Sequence, residues 1–226
     1  MTRMRKLALD CIAAAMLATL VLVAVGAAHD VDTFYTKKWK VGERNQNYGF
    51  GSNFPEGDFR TRVHDGAQEW NALAGNMQFN RGGVDVTWQY DSPCNDPGKN
   101  SIHWGSIDGK TPANGSSTVA ITTTCYYTAD LSKIALFRMK FDSAEDYYTG
   151  YGDTPSGKFD VKSFAAHEFG HATGFGRGGA KDHFDPSWDV CTNDPKHTMC
   201  PSIDAGKDYW RSLEEHDRHT FNNAYP

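Results

Sequence analysis

The stretch His167-Glu168-Phe169-Gly170-His171 carries the most information about this chain of 226 residues. Side chains at positions i and i+4 of an α-helix lie on one face, so the imidazoles of His167 and His171 can reach one metal ion. Glu168 points to the side, where it can hold and deprotonate a water on that metal rather than bind the metal itself. The stretch therefore predicts a helix that binds Zn²⁺ and carries a general base.

Helical periodicity extends this helix and predicts two more. The motif lies within Asp160–Phe175, which a glycine-rich segment ends. Apolar residues recur at helical spacing over residues 59–74, with Asp58 as the expected N-cap and Gly75 as the expected stop. A closing helix is predicted over Leu213–Ala224, and four of its residues are expected to face the core: Leu213, Thr220, Phe221 and Ala224.

Short β-prone runs fill the chain between the first helix and the metal-binding helix. They are separated by turn residues and comprise Val84–Tyr90, Ser101–Ile107, Thr118–Tyr127 and Ile134–Phe141. A further short strand is predicted near Lys38–Val41, and no regular element is expected from Phe184 to Asp208. The order of helix, strands, helix, coil and helix predicts an α+β fold.

The first 28 residues have the pattern of a signal peptide. Three basic residues precede an apolar run from Cys11 to Val25, and Gly26-Ala-Ala28 offers small residues for cleavage after Ala28. This pattern predicts a secreted, extracellular protein whose residues 29–226 form a single domain. The alternative is that residues 7–28 stay as an uncleaved membrane anchor, because the apolar run is close to the minimum of about 17 residues for a spanning helix.

The charge of the chain bears on its partners. Removal of residues 1–28 takes away three basic residues and one acidic residue, so the net charge falls from −5 to −7. An acidic domain argues against nucleic acid as a partner. Just under 200 residues suffice for one domain with a sizeable core. We expect this domain to be a monomer.

Four cysteines follow the predicted cleavage site, and an even number in an exported protein predicts two disulfides. Four cysteines allow three pairings, and we favour the local pairs Cys94–Cys125 and Cys191–Cys200. A zinc site built from cysteines is disfavoured because the chain has no C-x2-C spacing.

Beyond the metal motif, His171-Ala-Thr-Gly174 extends the pattern to H-E-x-x-H-x-x-G. Here the chain resembles the metzincin clan of zinc endopeptidases, and its matrixin-like branch in particular. Phe159-Asp-Val-Lys-Ser-Phe-Ala-Ala166 resembles the matrixin lead-in to the zinc helix. His197-Thr-Met199-Cys-Pro201 resembles the Met-turn, and Arg211-Ser-Leu-Glu-Glu-His-Asp217 resembles the start of the C-terminal helix.

The resemblance implies three protein ligands to one catalytic Zn²⁺, and here the chain departs from the family. The third histidine of the pattern would fall at position 177, where this chain has Arg177, which stays protonated and cannot bind zinc. We interpret Arg177–Lys181 as an insertion that displaces the ligand to His183, with Asp182 as the second candidate. The opposing interpretation is an ordinary loop histidine and a degenerate site.

The resemblance also implies a fold and an activity. The fold would be a twisted mixed sheet with two long helices, one of them the zinc helix, and a small C-terminal part with the closing helix. Glu168 would be the general base, Met199 would form a hydrophobic base beneath the metal, and a protein or peptide substrate would extend along Thr118–Tyr127 as an edge strand.

Two alternatives remain open at this point. The chain could be a secreted zinc-containing binding domain without catalysis, its site closed by His197 as a fourth ligand. Calcium is a second candidate ion, because Asp-rich turns occur around Asp91–Asp96 and Asp142–Asp153, although neither has the spacing of an EF-hand.

Overall fold

A computed structural model describes residues 35–82, 94, 99–108, 118–176, 191 and 196–226. The predicted signal peptide, the predicted strand Val84–Tyr90 and the Asp-rich turn around Asp91–Asp96 fall outside this described part, except for Cys94. The helices are α1 (Asp58–Asn71), α2 (Val161–Ala172) and α3 (Glu215–Ala224). The strands are β1 (Asn45–Phe50), β2 (Gln78–Arg81), β3 (Asn100–Gly105), β4 (Ala120–Tyr127), β5 (Asp130–Asp142), β6 (Tyr147–Tyr148) and β7 (Phe159–Asp160).

Five strands form one mixed sheet in the order β2-β1-β3-β5-β4. β1 is parallel to β2 and β3, and β3 is parallel to β5, whereas β4 runs antiparallel to β5. β4 is the last strand in this order, so it forms an edge of the sheet as far as the described strands extend. The α+β prediction is confirmed, and among the described strands the run from Thr118 to Tyr127 lies at the predicted edge.

The two longer helices pack against each other and α2 packs on the sheet. Phe169 of α2 lies on Phe79 and Phe137 of the sheet, with ring centroids 4.8 and 5.9 Å apart. A Cβ atom on Gly66 of α1 would lie 2.6 Å from the Cβ of Ala165, so only glycine allows the helices to approach this closely. The core between them and the sheet is rich in aromatic side chains.

The predicted helices are present, but some local assignments were wrong. Gly57, with a φ of 66°, occupies the N-cap of α1, so Asp58 is the first helical residue rather than the cap. The helix also ends at Asn71, before the expected stop at Gly75. The predicted core residues of the closing helix are all buried.

The strand prediction failed for the N-terminal part of the sheet. The predicted strand Lys38–Val41 is wrong, because these residues make a single bridge from Lys38 to Lys133 and then a 3-10 turn over Val41–Glu43. β1 and β2 were missed, since Asn45-Gln-Asn47 has low strand propensity. In β1 this weakness is overcome by hydrogen bonding to strands on both sides and by the burial of Tyr48 and Phe50.

Both predicted disulfides are confirmed. Cys94 is bonded to Cys125 at 2.03 Å, and Cys191 to Cys200 at 2.04 Å. Both are consistent with an oxidising compartment. No helix within the described part of the chain has the length and apolarity needed to cross a membrane.

Candidate metal centre and active site

Helix α2 carries the predicted site through the protein core. Its N-cap is Asp160, whose carboxylate accepts a hydrogen bond from the backbone N–H of Ser163 at 2.8 Å. Arg211 holds this carboxylate from the other side, at 2.6 Å. His167, Glu168 and His171 are only 6%, 4% and 7% exposed. Burial of three ionisable side chains on one helix is costly unless they are paired or bind a metal.

Two backbone carbonyls set the tautomers of the histidines. Nδ1 of His167 lies 2.6 Å from the carbonyl oxygen of Thr198, and Nδ1 of His171 lies 3.1 Å from that of Phe175. A carbonyl can only accept, so each Nδ1 carries the proton and donates it. In a neutral ring the lone pair then sits on Nε2, which is the arrangement that metal-binding histidines adopt.

The rings are also oriented by packing. The centroids of His167 and His171 are 4.8 Å apart with the rings nearly perpendicular, at 84°. Trp210 stacks on the other side of His167, with centroids 4.8 Å apart and planes inclined by 13°. The indole therefore fixes the ring plane of His167 while Thr198 fixes its tautomer.

The end of α2 turns sharply next to the second histidine. Gly174 has a φ of 104°, and a Cβ atom there would lie 2.2 Å from the carbonyl oxygen of Lys37, so the turn requires glycine. The segment 35–40 packs against this helix end. Tyr35 Oη lies 2.9 Å from Thr173 Oγ1, and Trp39 Nε1 donates to the Ala172 carbonyl at 2.9 Å.

The predicted Met-turn lies beside the histidines. Met199 is fully buried, and a Cβ atom on Gly170 would lie 2.2 Å from its Sδ. Gly170 therefore leaves the space into which the Met199 side chain packs, on the helix between the two histidines. Met199 is placed as a packing residue, as expected.

Asp217 of α3 holds the turn that carries Met199 in place. Its carboxylate accepts hydrogen bonds from the backbone N–H groups of Thr198, Met199 and Glu214, at 2.9, 3.1 and 3.1 Å. Burial raises the pKa of Asp217 to about 6, although the three hydrogen bonds act in the opposite direction. Because Thr198 also accepts from His167, a continuous chain of hydrogen bonds joins α3 to the first histidine.

The edge strand β4 borders the site. The hydroxyl of Thr122 donates to the backbone carbonyl of Glu168 at 3.2 Å. The middle of β4 is therefore adjacent to the turn of α2 that carries Glu168, the predicted general base.

His183, the predicted third ligand, lies outside the described residues, as do Arg177 and Asp182. The structure brings together His167, Glu168, His171 and Met199. Within the described ranges, no group of three or more His, Cys, Asp or Glu side chains is arranged to hold a metal. His197, the proposed fourth ligand of a closed site, is buried and lies against His216, with ring centroids 4.7 Å apart.

Three supporting residues were not predicted as part of the site: Thr198, Trp210 and Asp217. The resemblance included the segment from Arg211 to Asp217 but gave none of its residues a role. Thr198 acts through its backbone, so its side chain gave no sequence signal. The sequence shows an acidic residue in the first turn of the closing helix. In the structure, Asp217 accepts hydrogen bonds from the turn at Thr198 and Met199 and also from the N-cap of its own helix.

No family model matches the chain, and no curated protein matches it.

Proposed function

We propose that this protein is a zinc-dependent endopeptidase of the metzincin type with a matrixin-like arrangement. The observation that carries the proposal is the matched pair of Nδ1 hydrogen bonds, from His167 to Thr198 and from His171 to Phe175. Hydrogen bonds from Nδ1 to a backbone carbonyl orient imidazoles for a metal, and a structural role for two buried histidines would not require the same tautomer in both. Glu168 beside them favours a hydrolytic site over a purely structural one.

His183 is the proposed third ligand, with Asp182 as the second candidate. The support comes from the two ends of the segment 177–190. On one side Phe175 is hydrogen-bonded to His171, and on the other Cys191 is bonded to Cys200, the neighbour of Met199. The described residues on both sides of the segment are thus tied to the candidate centre, which supports a ligand from within it.

Each of the proposed site residues has a separate role in peptide hydrolysis. His167, His171 and His183 would hold Zn²⁺, which when bound lowers the pKa of a coordinated water to about 7 and polarises a carbonyl group. Glu168 accepts a proton from the attacking water and passes it to the nitrogen of the leaving amine. The main chain of β4 hydrogen-bonds the extended substrate and holds the scissile bond beside Glu168.

The predicted compartment agrees with this activity. Two disulfides and the signal-peptide pattern of residues 1–28 support a secreted enzyme that acts on extracellular protein or peptide. A monomer with residues 29–226 as one catalytic domain remains our expectation.

The test uses protein recovered after expression of the full chain. Zinc content and cleavage of unfolded casein are measured for wild type, Glu168→Gln and His183→Ala, with and without a chelator. Glu56→Gln is the matched control, because its side chain is 83% exposed. We expect one zinc per chain, chelator-sensitive cleavage, and a loss of several orders of magnitude in Glu168→Gln with zinc retained.

Other outcomes would redirect the assignment. One zinc per chain without cleavage of any test protein would favour the non-catalytic binding domain. Full zinc content and full activity in His183→Ala would reject His183 and leave Asp182 as the ligand to test.

A further inference from the structure

Two lysines lie on two consecutive tyrosines at the C-terminal end of β4. Nζ of Lys37 is 5.4 Å from the ring centroid of Tyr126, and Nζ of Lys40 is 3.8 Å from that of Tyr127. Both distances fall within the range of a cation–π contact. We call these four residues, together with Lys38 and Lys133, the lysine–tyrosine cluster.

Main-chain hydrogen bonds join the two segments that carry the lysines, residues 37–40 and residues 132–134. The N–H of Lys38 donates to the Ser132 carbonyl at 3.2 Å, and the N–H of Ile134 donates to the Lys38 carbonyl at 3.0 Å. Lys38 and Lys133 face each other at this bridge. Like charges placed opposite each other on neighbouring strands are destabilising, and an anion bound between them would relieve this repulsion.

The cluster has a positive excess on an acidic protein. Its four lysines stand near two carboxylates, Glu43 and Asp130, in a chain whose net charge is −5. Hydrogen bonds from Ser132 and the nearby charges of Lys133 and Lys40 lower the pKa of Asp130, so this carboxylate offsets part of the lysine charge and a positive excess remains. Glu43 accepts from the hydroxyl of Tyr127 at 2.8 Å, and Asp130 accepts from the backbone and side chain of Ser132.

An irregularity in β4 permits this arrangement. The register with β5 shifts between Cys125 and Tyr126 and again between Tyr126 and Tyr127. In a regular strand, neighbouring side chains point to opposite faces, whereas a bulge redirects one of them. Here consecutive tyrosines each meet a lysine from the segment 37–40.

We propose that the lysine–tyrosine cluster is a subsite that binds acidic side chains of an extended peptide substrate. This inference rests on the proposed peptidase function, since it takes β4 as the strand along which the substrate lies. Thr122 marks the level of Glu168, and a strand rises by about 3.3 Å per residue. Tyr126 and Tyr127 are therefore about 13 and 17 Å further along, which corresponds to substrate residues four or five positions from the scissile bond.

The tyrosines of the cluster belong to β4, the proposed substrate strand, and this favours a peptide over a membrane surface as the partner. Val41 and Leu131, at 79% and 62% exposed, belong to the same two segments as the lysines, and a basic surface with exposed apolar residues also suits anionic lipid. A strand edge, however, recognises an extended chain through its backbone and a lipid surface offers no such partner. The experiment below distinguishes the two.

The test compares two peptides of equal length cleaved by protein from the full chain. One carries Asp at the fourth and fifth positions on both sides of the scissile bond, and the other carries Asn there. At low salt we expect the Asp peptide to have a kcat/KM about fivefold higher, from two exposed charge pairs. This ratio should approach one in Lys37→Gln/Lys40→Gln and in 0.5 M salt, where the Debye length is only about 4 Å.

Arg81→Gln is the control for loss of a positive charge, because Arg81 ends β2 at the opposite edge of the sheet. It should keep the wild-type ratio. Equal cleavage of both peptides by wild type would overturn the subsite while leaving the peptidase in place. Cleavage of neither peptide would overturn both proposals. Equal cleavage together with lysine-dependent binding to phosphatidylserine vesicles would assign the cluster to a membrane surface instead.

Discussion

Replacement of Asp217 by Asn tests whether the hydrogen bonds beneath the candidate centre support it. One carboxylate oxygen accepts from the N–H groups of Thr198 and Glu214, and the other accepts from that of Met199. Asparagine keeps the size of the side chain but has only one accepting oxygen. In either orientation of the amide, its NH₂ group therefore faces at least one backbone N–H.

The cost follows from the least damaging orientation. The amide oxygen would take the position shared by the N–H groups of Thr198 and Glu214, and the N–H of Met199 would lose its acceptor. A buried donor without a partner costs about 1–3 kcal/mol, and the misplaced NH₂ adds a smaller amount. We expect Asp217→Asn to lower the free energy of unfolding by about 2–4 kcal/mol.

The same substitution should weaken zinc binding. Thr198 connects Asp217 to His167, so a shifted turn moves the carbonyl that sets the tautomer and orientation of that ring. Changes to such supporting groups typically lower metal affinity by about 10-fold to 100-fold.

The assay is urea unfolding of metal-free protein, followed by zinc competition against a chelator. Asp146→Asn is the control, because this aspartate is 67% exposed and pairs only at the surface with Lys158. It should change the free energy of unfolding by less than about 0.5 kcal/mol. If Asp217→Asn unfolds at the same urea concentration as wild type, the reasoning from buried hydrogen bonds is wrong. A loss of stability with unchanged zinc affinity would limit Asp217 to a role in folding.

Two further predictions concern packing and pH. Gly170→Ala should destabilise the protein by about 1–2 kcal/mol, since overpacking against Met199 and Trp70 exceeds the gain in helix propensity. In calorimetry this penalty should shrink in a Met199→Ala background, and an unchanged penalty would mean that the methionine does not fill the space beside Gly170. Burial, with smaller contributions from Arg138 and Lys140, lowers the pKa of His103 to about 4. Because the unfolded chain binds the proton more tightly between pH 6.5 and 4, stability from this group is present above pH 6.5 and is lost as the pH falls. The measurement is the free energy of unfolding of wild type minus that of His103→Gln, because this difference cancels the titration of other groups. In urea unfolding it should fall by about 2 kcal/mol between pH 7 and 5. A difference that stays constant over this range would contradict the lowered pKa of His103.

The sequence was most informative where its signal is local. The spacing of His167, Glu168 and His171 places them on one helix without knowledge of any other residue, and periodicity located the three helices whose bounds the structure describes. The two disulfides also joined near neighbours in the sequence, with separations of 31 and 9 residues. Each of these inferences needs only the geometry of one element or a short loop.

The remaining features depend on the path of the chain in space. β1 forms from an asparagine-rich segment because strands on both sides supply hydrogen bonds, which no propensity within the segment reports. The lysine–tyrosine cluster joins a loop near residue 40 to a strand end near residue 127. Lysines in a loop look like ordinary solvated charges until their neighbours are known.

In the candidate site, too, some features follow from the local sequence and others only from the tertiary structure. The candidate metal-binding and general-base residues on α2 were predicted from the sequence alone, because a helix fixes which side chains share a face. The tautomer of His167, its ring plane and the support of the neighbouring turn were decided by Thr198, Trp210 and Asp217, which lie 31 or more positions after His167. A sequence pattern reports which side chains are buried, whereas a hydrogen bond requires two particular atoms at about 3 Å, and only the folded chain brings them together.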